Sequence, residues 1–121
     1  MALAKDLVST GYSFGQAAGN NGQIATGITA AGSTQGTATA ITASINVVGT
    51  AAASTGLILY NGNVGDTQVV YNGGANAITV YPPVGSLING LATNAGAVLA
   101  TNTTCKYIKI TSTRWIALLS A

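Results

Sequence analysis

The side chains of this sequence that could perform acid, base or nucleophilic chemistry are few and widely spaced. The 121-residue chain has no histidine, and its two acidic residues, Asp6 and Asp66, lie sixty positions apart. Cys105 is the single cysteine, so no internal disulfide can form. General acid–base catalysis needs a group that titrates near neutrality and a second group that orients it, and a serine or cysteine triad needs histidine. The sequence therefore predicts a protein that is not an enzyme.

The scarcity of histidine, cysteine and acidic residues also disfavours metal and cofactor sites. Structural zinc sites are built from cysteine and histidine, and calcium sites from several carboxylates close together. The glycine stretches GNNGQ and NGGAN lack the Lys-Ser/Thr ending of a phosphate-binding loop. We predict neither a metal nor a cofactor.

Charge is scarce along the whole chain. Charged residues make up 5% of the sequence, with a net charge of +2, and the single basic cluster is Lys106, Lys109 and Arg114. A protein that neutralises several phosphates needs more cations than this, so nucleic acid is not an expected partner. The opening MALAKDLVSTGY lacks the apolar core of a secretory signal, and no apolar run is long enough for a membrane helix. Low charge also leaves little self-repulsion, which favours association.

The elements that must position these residues are strands. In TATAITASINVV the odd positions from Ile41 to Val47 are apolar and the even positions from Thr42 to Asn46 are polar, which predicts a strand with its odd face buried. Short apolar runs follow with turn residues about every 10 residues, and helical periodicity is missing. We predict an all-β fold, a small antiparallel β-sandwich or barrel, over residues 37–121.

The segment YNGGANAITVYPP predicts a hairpin. Residues 68–71 and 77–81 should pair, because Asn72, Gly73 and Gly74 between them tolerate positive φ. Pro82 and Pro83 should then end the second strand, because proline has no backbone donor.

Residues 1–36 differ from the rest in being rich in glycine, alanine, glutamine and asparagine. Such a segment has too few apolar side chains to fold alone, so we predict an extended N-terminal arm held by something outside the domain. An arm folded back onto its own domain is the alternative. The apolar residues that would fill pockets on a neighbour are Leu3, Leu7, Tyr12, Phe14, Ile24 and Ile28.

The last strand, RWIALL, is apolar on both faces. A strand of this kind needs a second cover, either the partner sheet of a sandwich or a neighbouring subunit. Low charge favours the subunit. The candidate interface residues are Tyr107, Trp115 and Leu119.

From about Thr26 to the C-terminus the chain has an alanine- and threonine-rich lead, an NVV strand, a core of the form NxGANAxxVYPxxGxxINGLAxNA and a terminal aromatic strand. The positions that carry this pattern are 72–77, 81–82, 85, 88–92, 94–95 and Trp115. In this pattern the chain resembles small structural proteins of tailed bacteriophages.

The resemblance implies a virion component made in the bacterial host cytoplasm. A capsid decoration (cement) protein fits best, which implies a homotrimer on the phage head surface that binds the major capsid protein between its subunits. A head-fibre, tail or neck component is the nearest alternative. A carbohydrate-binding adhesion module, using Tyr60, Tyr71, Tyr81 and Trp115 as stacking surfaces, and fibrous self-assembly through the N-terminal segment are further alternatives.

Overall fold

The computed structural model of this chain describes residues 23–120, and in that range it contains strands in two sheets and no helix. The all-β prediction is therefore confirmed. The strands are, in chain order, β1 (Ile24–Ala30), β2 (Thr39–Ala40), β3 (Ile45–Ala51), β4 (Thr55–Ile58), β5 (Thr67–Asn72), β6 (Ile78–Tyr81), β7 (Leu87–Ile88), β8 (Ala97–Leu99), β9 (Thr103–Lys109) and β10 (Arg114–Leu119).

The two sheets form a solenoid-like arrangement rather than the expected antiparallel sandwich or barrel. Strands β1, β3 and β5 are parallel neighbours in a six-stranded sheet, and β2, β4 and β6 are parallel neighbours in a four-stranded sheet. From β1 to β6 the chain alternates between the two sheets, so the pairs β1–β2, β3–β4 and β5–β6 each form one coil. Ile24 lies beside Ile45 and Ile45 beside Val69, so successive coils take 21 and 24 residues. Stacked units of this kind bury a continuous core that one coil alone could not bury.

The chain reverses direction after the third coil. Strands β8 and β9 run antiparallel to β6 and β5 and cover the edge of that coil, and β10 and β7 extend the six-stranded sheet beyond β9. Within residues 23–120, the first coil keeps a free edge at β1 and β2. Gly27, at φ 67°, and the register shifts around Ile28 interrupt β1. Such irregularities hinder an edge strand from pairing with another chain.

The hydrophobic core lies between the two sheets. Val48, Leu57, Val70, Val80 and Trp115 are each 0% exposed and belong to one contiguous cluster. Burial of each such side chain stabilises the fold by about 1.5–3 kcal/mol, and the coils are held together mainly by these contacts.

The β domain begins earlier than the predicted boundary at residue 36. Strand β1 pairs with β3, Ala30 is 3% exposed, and the Gln35 side chain donates to the Pro82 carbonyl at 2.8 Å. The segment 24–36, assigned from sequence to the arm, therefore belongs to the first coil. The remaining arm residues, 1–22, lie outside the described residues.

The predicted hairpin is wrong. Strands β5 and β6 lie in different sheets, and each pairs with the strand one coil earlier. The connection between them is a coil corner in which Gly73 and Gly74 keep φ outside the left-handed region. A Cβ at Gly74 would lie 2.5 Å from the Ala51 Cβ, so glycine is needed for close approach rather than for positive φ. Strand β6 does end at Tyr81, directly before Pro82, as predicted.

Strand β3 buries the opposite face from the one predicted. Asn46 and Val48 are 0% exposed, whereas Ile45 and Val47 are only partly buried. The Asn46 amide donates to the Ala43 carbonyl at 2.7 Å and to the Val69 carbonyl at 3.2 Å. The amide nitrogen of Asn46 is thus satisfied by main-chain carbonyls, whereas its Oδ1 has no hydrogen-bond partner. Alternation of residue types cannot reveal this arrangement, because it depends on which main-chain groups lie within reach of the side chain.

Candidate functional site

Two asparagines, the buried Asn72 and the exposed Asn76, fix the corner between β5 and β6. The Asn72 amide nitrogen donates to the carbonyls of Asn76 and Leu99 at 2.9 and 3.1 Å, and its oxygen accepts from Gly74 N–H at 3.0 Å. The Asn76 side chain donates to the Ala51 carbonyl of the previous coil at 2.9 Å. The segment 72–77 is therefore used to stack one coil on another, a role that the hairpin prediction missed.

A second set of polar contacts fixes the loop between β4 and β5. Lys109 is 6% exposed, and its Nζ donates to Asn61 Oδ1 at 2.8 Å and to the Gly62 carbonyl at 2.6 Å. Its Nζ lies 6.0 Å from the centroid of the Trp115 ring, within the range of a cation–π contact. In the same loop the Asp66 carboxylate accepts a backbone N–H at 2.8 Å. Both charged groups therefore hold the loop in place.

Cys105 and Tyr107 point into the core from β9, at 3% and 1% exposure. Burial raises the pKa of the Cys105 thiol, and hydrogen bonds from neighbouring groups do not offset this effect. Burial raises the pKa of Tyr107 strongly, and the adjacent Cys105 raises it further. Since the thiolate is the nucleophilic form of cysteine, this environment disfavours chemistry at Cys105.

A concave apolar feature of the described residues is a groove between β8 and the second half of β10. We call it the β8–β10 groove; its volume is about 130 Å³. It is open because the four-stranded sheet ends at β8, whereas the six-stranded sheet continues past β9. Ala117 and Leu119, which face the same side as Tyr107 and Cys105, consequently lack a covering strand. The groove is lined by Asn89, Ala97, Val98, Leu99, Cys105, Tyr107, Ala117 and Leu119.

Some of the exposed large apolar side chains of the described residues lie at this groove. Val98 is 72% exposed and Leu119 is 63% exposed, and Leu118 on the outer face of β10 is 56% exposed. Sequence reasoning identified Leu119 from the two apolar faces of the last strand but missed Val98. Val98 lies in a run of only three strand residues, AVL, where alternation is too short to indicate which side is covered.

The structure separates the other sequence-predicted contact residues. Leu3, Leu7, Tyr12 and Phe14 lie outside the described residues. Ile24 is 67% exposed at the start of β1, and Ile28 packs partly against the core. Of the three interface candidates, Tyr107 and Trp115 are 1% and 0% exposed within their own chain, so Leu119 alone presents a surface to a partner.

The four aromatic residues proposed to stack on a sugar do not form a shared exposed surface. Trp115 has no exposed face, and its indole Nε1 has no hydrogen-bond partner. The Tyr81 hydroxyl donates to the Ser33 carbonyl at 3.1 Å, and Tyr71, which is 36% exposed, lies on another sheet. Burial raises the pKa of Tyr60, and Asp66 raises it further. No specific contact favours this alternative.

The described residues offer neither a metal-binding cluster nor a membrane-spanning helix. Residues 23–120 contain no group of three or more histidine, cysteine, aspartate or glutamate side chains placed to hold a metal ion. The same residues include no helix with the length and hydropathy needed to cross a membrane.

Comparison with known proteins identifies no similar protein. No family model, curated protein or solved structure matches the chain.

Proposed function

We propose that this chain is a virion structural protein of a tailed bacteriophage, a capsid decoration protein that acts as a homotrimer on the head surface. It binds the major capsid protein between subunits, and residues preceding β1, including Leu3 and Leu7, supply part of that contact. The protein is made in the host cytoplasm and needs no cofactor.

The proposal rests on the structural roles of the motif residues that resemble phage structural proteins. Asn76 ties the third coil to the second through the Ala51 carbonyl, and Gly74 allows close approach to Ala51. Asn72 fixes the corner by binding Asn76 and Leu99. Further along the motif, the Asn89 side chain accepts the Ala117 N–H at 3.0 Å, and Asn94 accepts the Gly85 N–H at 2.6 Å. The motif residues thus determine the architecture, which is what a structural family would share.

The surface chemistry also supports an assembly role. Among the charged residues in the described range, Lys109 is buried, and Asp66, Lys106 and Arg114 have some exposure. Neutral surfaces with few charges oppose the approach of identical copies only weakly. A protein that binds the assembled shell but not its free subunits stabilises the shell by mass action, and repetition over the lattice multiplies a small gain per site.

The experiment is to identify this protein in purified particles and count its copies. Hundreds of copies per particle are expected of a decoration protein, whereas six or twelve would show a tail or neck component and overturn the proposal. Sedimentation of the isolated protein tests the trimer separately, because a monomer at high concentration would contradict that part. A glycan array with specific binding would favour the adhesion alternative instead.

A further inference from the structure

The β8–β10 groove is an unfilled position in the four-stranded sheet. Strand β8 pairs with β6 on one side and has no strand on its other side within residues 23–120. A segment lying along that free side would cover Ala117 and Leu119, which the four-stranded sheet does not reach. The groove therefore has a free main-chain edge and an apolar floor, the two features used when an extended segment binds a sheet edge.

The size of the groove matches one aromatic ring. Its volume is about 130 Å³, and an apolar cavity of about 150 Å³ admits benzene. Most of the lining residues are apolar, and Cys105, Tyr107 and Asn89 are the ones that carry a polar group. The occupant should therefore be a neutral segment with an aromatic side chain.

The chain that precedes the described residues starts within reach of this groove. Ile24, Ile45, Val69, Lys106 and Leu118 form one row of paired residues across the six-stranded sheet. Four strand spacings of about 4.8 Å separate the first from the last, roughly 19 Å in total. The start of β1 is thus level with the end of β10, where the groove lies.

The sequence before β1 contains a suitable occupant. Phe14, the single phenylalanine of the chain, follows Tyr12 at a spacing of two, which places both rings on one side of an extended segment. The linker between Phe14 and Gln23 is the uncharged eight-residue segment GQAAGNNG. Eight residues span up to about 26–29 Å when extended, which exceeds the roughly 19 Å between these two backbone positions and leaves about 7–10 Å for the chain to pass the strand ends to the inner face of β10.

We propose that the β8–β10 groove binds Tyr12 and Phe14 of the same chain, with the Phe14 ring between β8 and β10. The same pair on a second copy has the same chemistry, but a short tether gives the chain's own segment an effective concentration in the millimolar range. This inference does not depend on the proposed function. It leaves Leu3 and Leu7, further towards the N-terminus, free for a different partner.

The test uses the single native thiol in the groove. In the full-length variant Phe14→Cys, treatment of a dilute sample with diamide joins Cys105 to the new thiol, and the two thiols give two electrons and two protons to the diamide. The matched control is Ser13→Cys, which has almost the same tether length but the opposite side-chain direction. We expect the Phe14→Cys disulfide to form within one chain about tenfold faster than the control disulfide.

The outcomes separate the possible occupants. Equal rates for the two variants would show that the segment has no preferred position and would overturn the proposal. Disulfides found only between chains would assign the groove to a second copy and would also overturn it. Alkylation of Cys105 provides a second readout: Phe14→Ala should accelerate it several-fold while Ser13→Ala does not, and unchanged rates in both variants would contradict the proposal.

Discussion

Buried polar side chains hold this fold together at the scale of single residues. Asn46, Gln68 and Asn72 are each 0% exposed. Gln68 shows the principle: its amide accepts from the Tyr60 N–H at 3.1 Å and donates to the Tyr60 carbonyl at 2.8 Å, as a strand neighbour would. A buried donor or acceptor left without its partner costs about 1–3 kcal/mol, so these amides cannot be replaced by apolar residues without loss.

Trp115 provides the first prediction at this scale. Trp115→Ala should reduce the free energy of unfolding by about 3–5 kcal/mol, because it removes a fully buried aromatic ring and leaves a cavity. Trp115→Phe should cost much less, since the indole Nε1 makes no hydrogen bond that would be lost. Urea denaturation of the three proteins measures the difference, and equal midpoints for wild type and Trp115→Ala would contradict the burial of this side chain.

Cys105 and Tyr107 predict a loss of stability at alkaline pH. Their pKa values are raised in the folded chain, so the native state retains their protons at a pH where the unfolded state releases them. The free energy of unfolding should therefore fall as the pH rises above the unfolded values of about 8.5 for cysteine and about 10 for tyrosine. Urea denaturation between pH 7 and pH 11 tests this dependence. Cys105→Ala and Tyr107→Phe should each flatten it, and an unchanged slope in both variants would show that other groups cause it.

At the scale of elements, the solenoid-like coil determines which strands pair. Strand β5 lies beside β3 and β9, and β6 lies beside β4 and β8, although β5 and β6 are consecutive in the chain. The corner between them brings Gly74 against Ala51, one coil earlier. A hairpin would have placed the same glycine at an open turn, so its substitution distinguishes the two topologies.

Gly74→Ala should lower the free energy of unfolding by about 1–3 kcal/mol, because the added methyl group overpacks a closed contact. The Cβ would lie 2.5 Å from the Ala51 Cβ and 2.7 Å from the Ala51 nitrogen. Gly90→Ala is the matched control, since a Cβ there meets nothing within 4 Å. Thermal unfolding of both variants gives the comparison, and equal melting temperatures would argue against close stacking of the second and third coils.

The whole molecule has one covered end and one free end within residues 23–120. Strands β8 and β9 cover the third coil, whereas β1 forms an edge of the six-stranded sheet. Solenoids need their terminal units to shield the core. The integrity of the first coil, including Ala30 and Ile41 at 3% and 2% exposure, is therefore needed for the stability of the rest.

Two truncations test where the β domain begins. Deletion of residues 1–22 should leave a cooperatively unfolding protein with β-type circular dichroism, because every described strand remains. Deletion of residues 1–35 should lower the free energy of unfolding by several kcal/mol, because it removes β1 and uncovers β3. That loss is a large part of the free energy of unfolding of a typical domain, about 5–15 kcal/mol.

Guanidinium denaturation of both truncated proteins measures these effects. Equal stability of the two would show that β1 contributes little and that the domain starts near residue 37. If the residues before β1 contact the shell, the shorter deletion should also fail to sediment with particles that lack the protein.

The sequence alone determined the class of structure and excluded much chemistry. Alternating apolar residues and the absence of helical periodicity predicted strands, Pro82 correctly ended β6, and the composition left no histidine for catalysis. These properties are local, because they depend on residue type and on spacing over a few positions. The same local properties do not show which candidate contact residues are exposed, because an alternating pattern does not tell which face of a strand is buried.

The tertiary structure alone decided which strands are neighbours and which face is buried. A period of two is the same in a hairpin and in a coil, so parallel pairing between positions 21 to 24 residues apart leaves no local signal. Asn46 is buried only because the carbonyls of Ala43 and Val69 are within reach of its amide. The β8–β10 groove likewise exists because one sheet extends further than the other. Each of these features depends on residues brought together from distant parts of the chain, and the free energy of those contacts is set by the assembled fold.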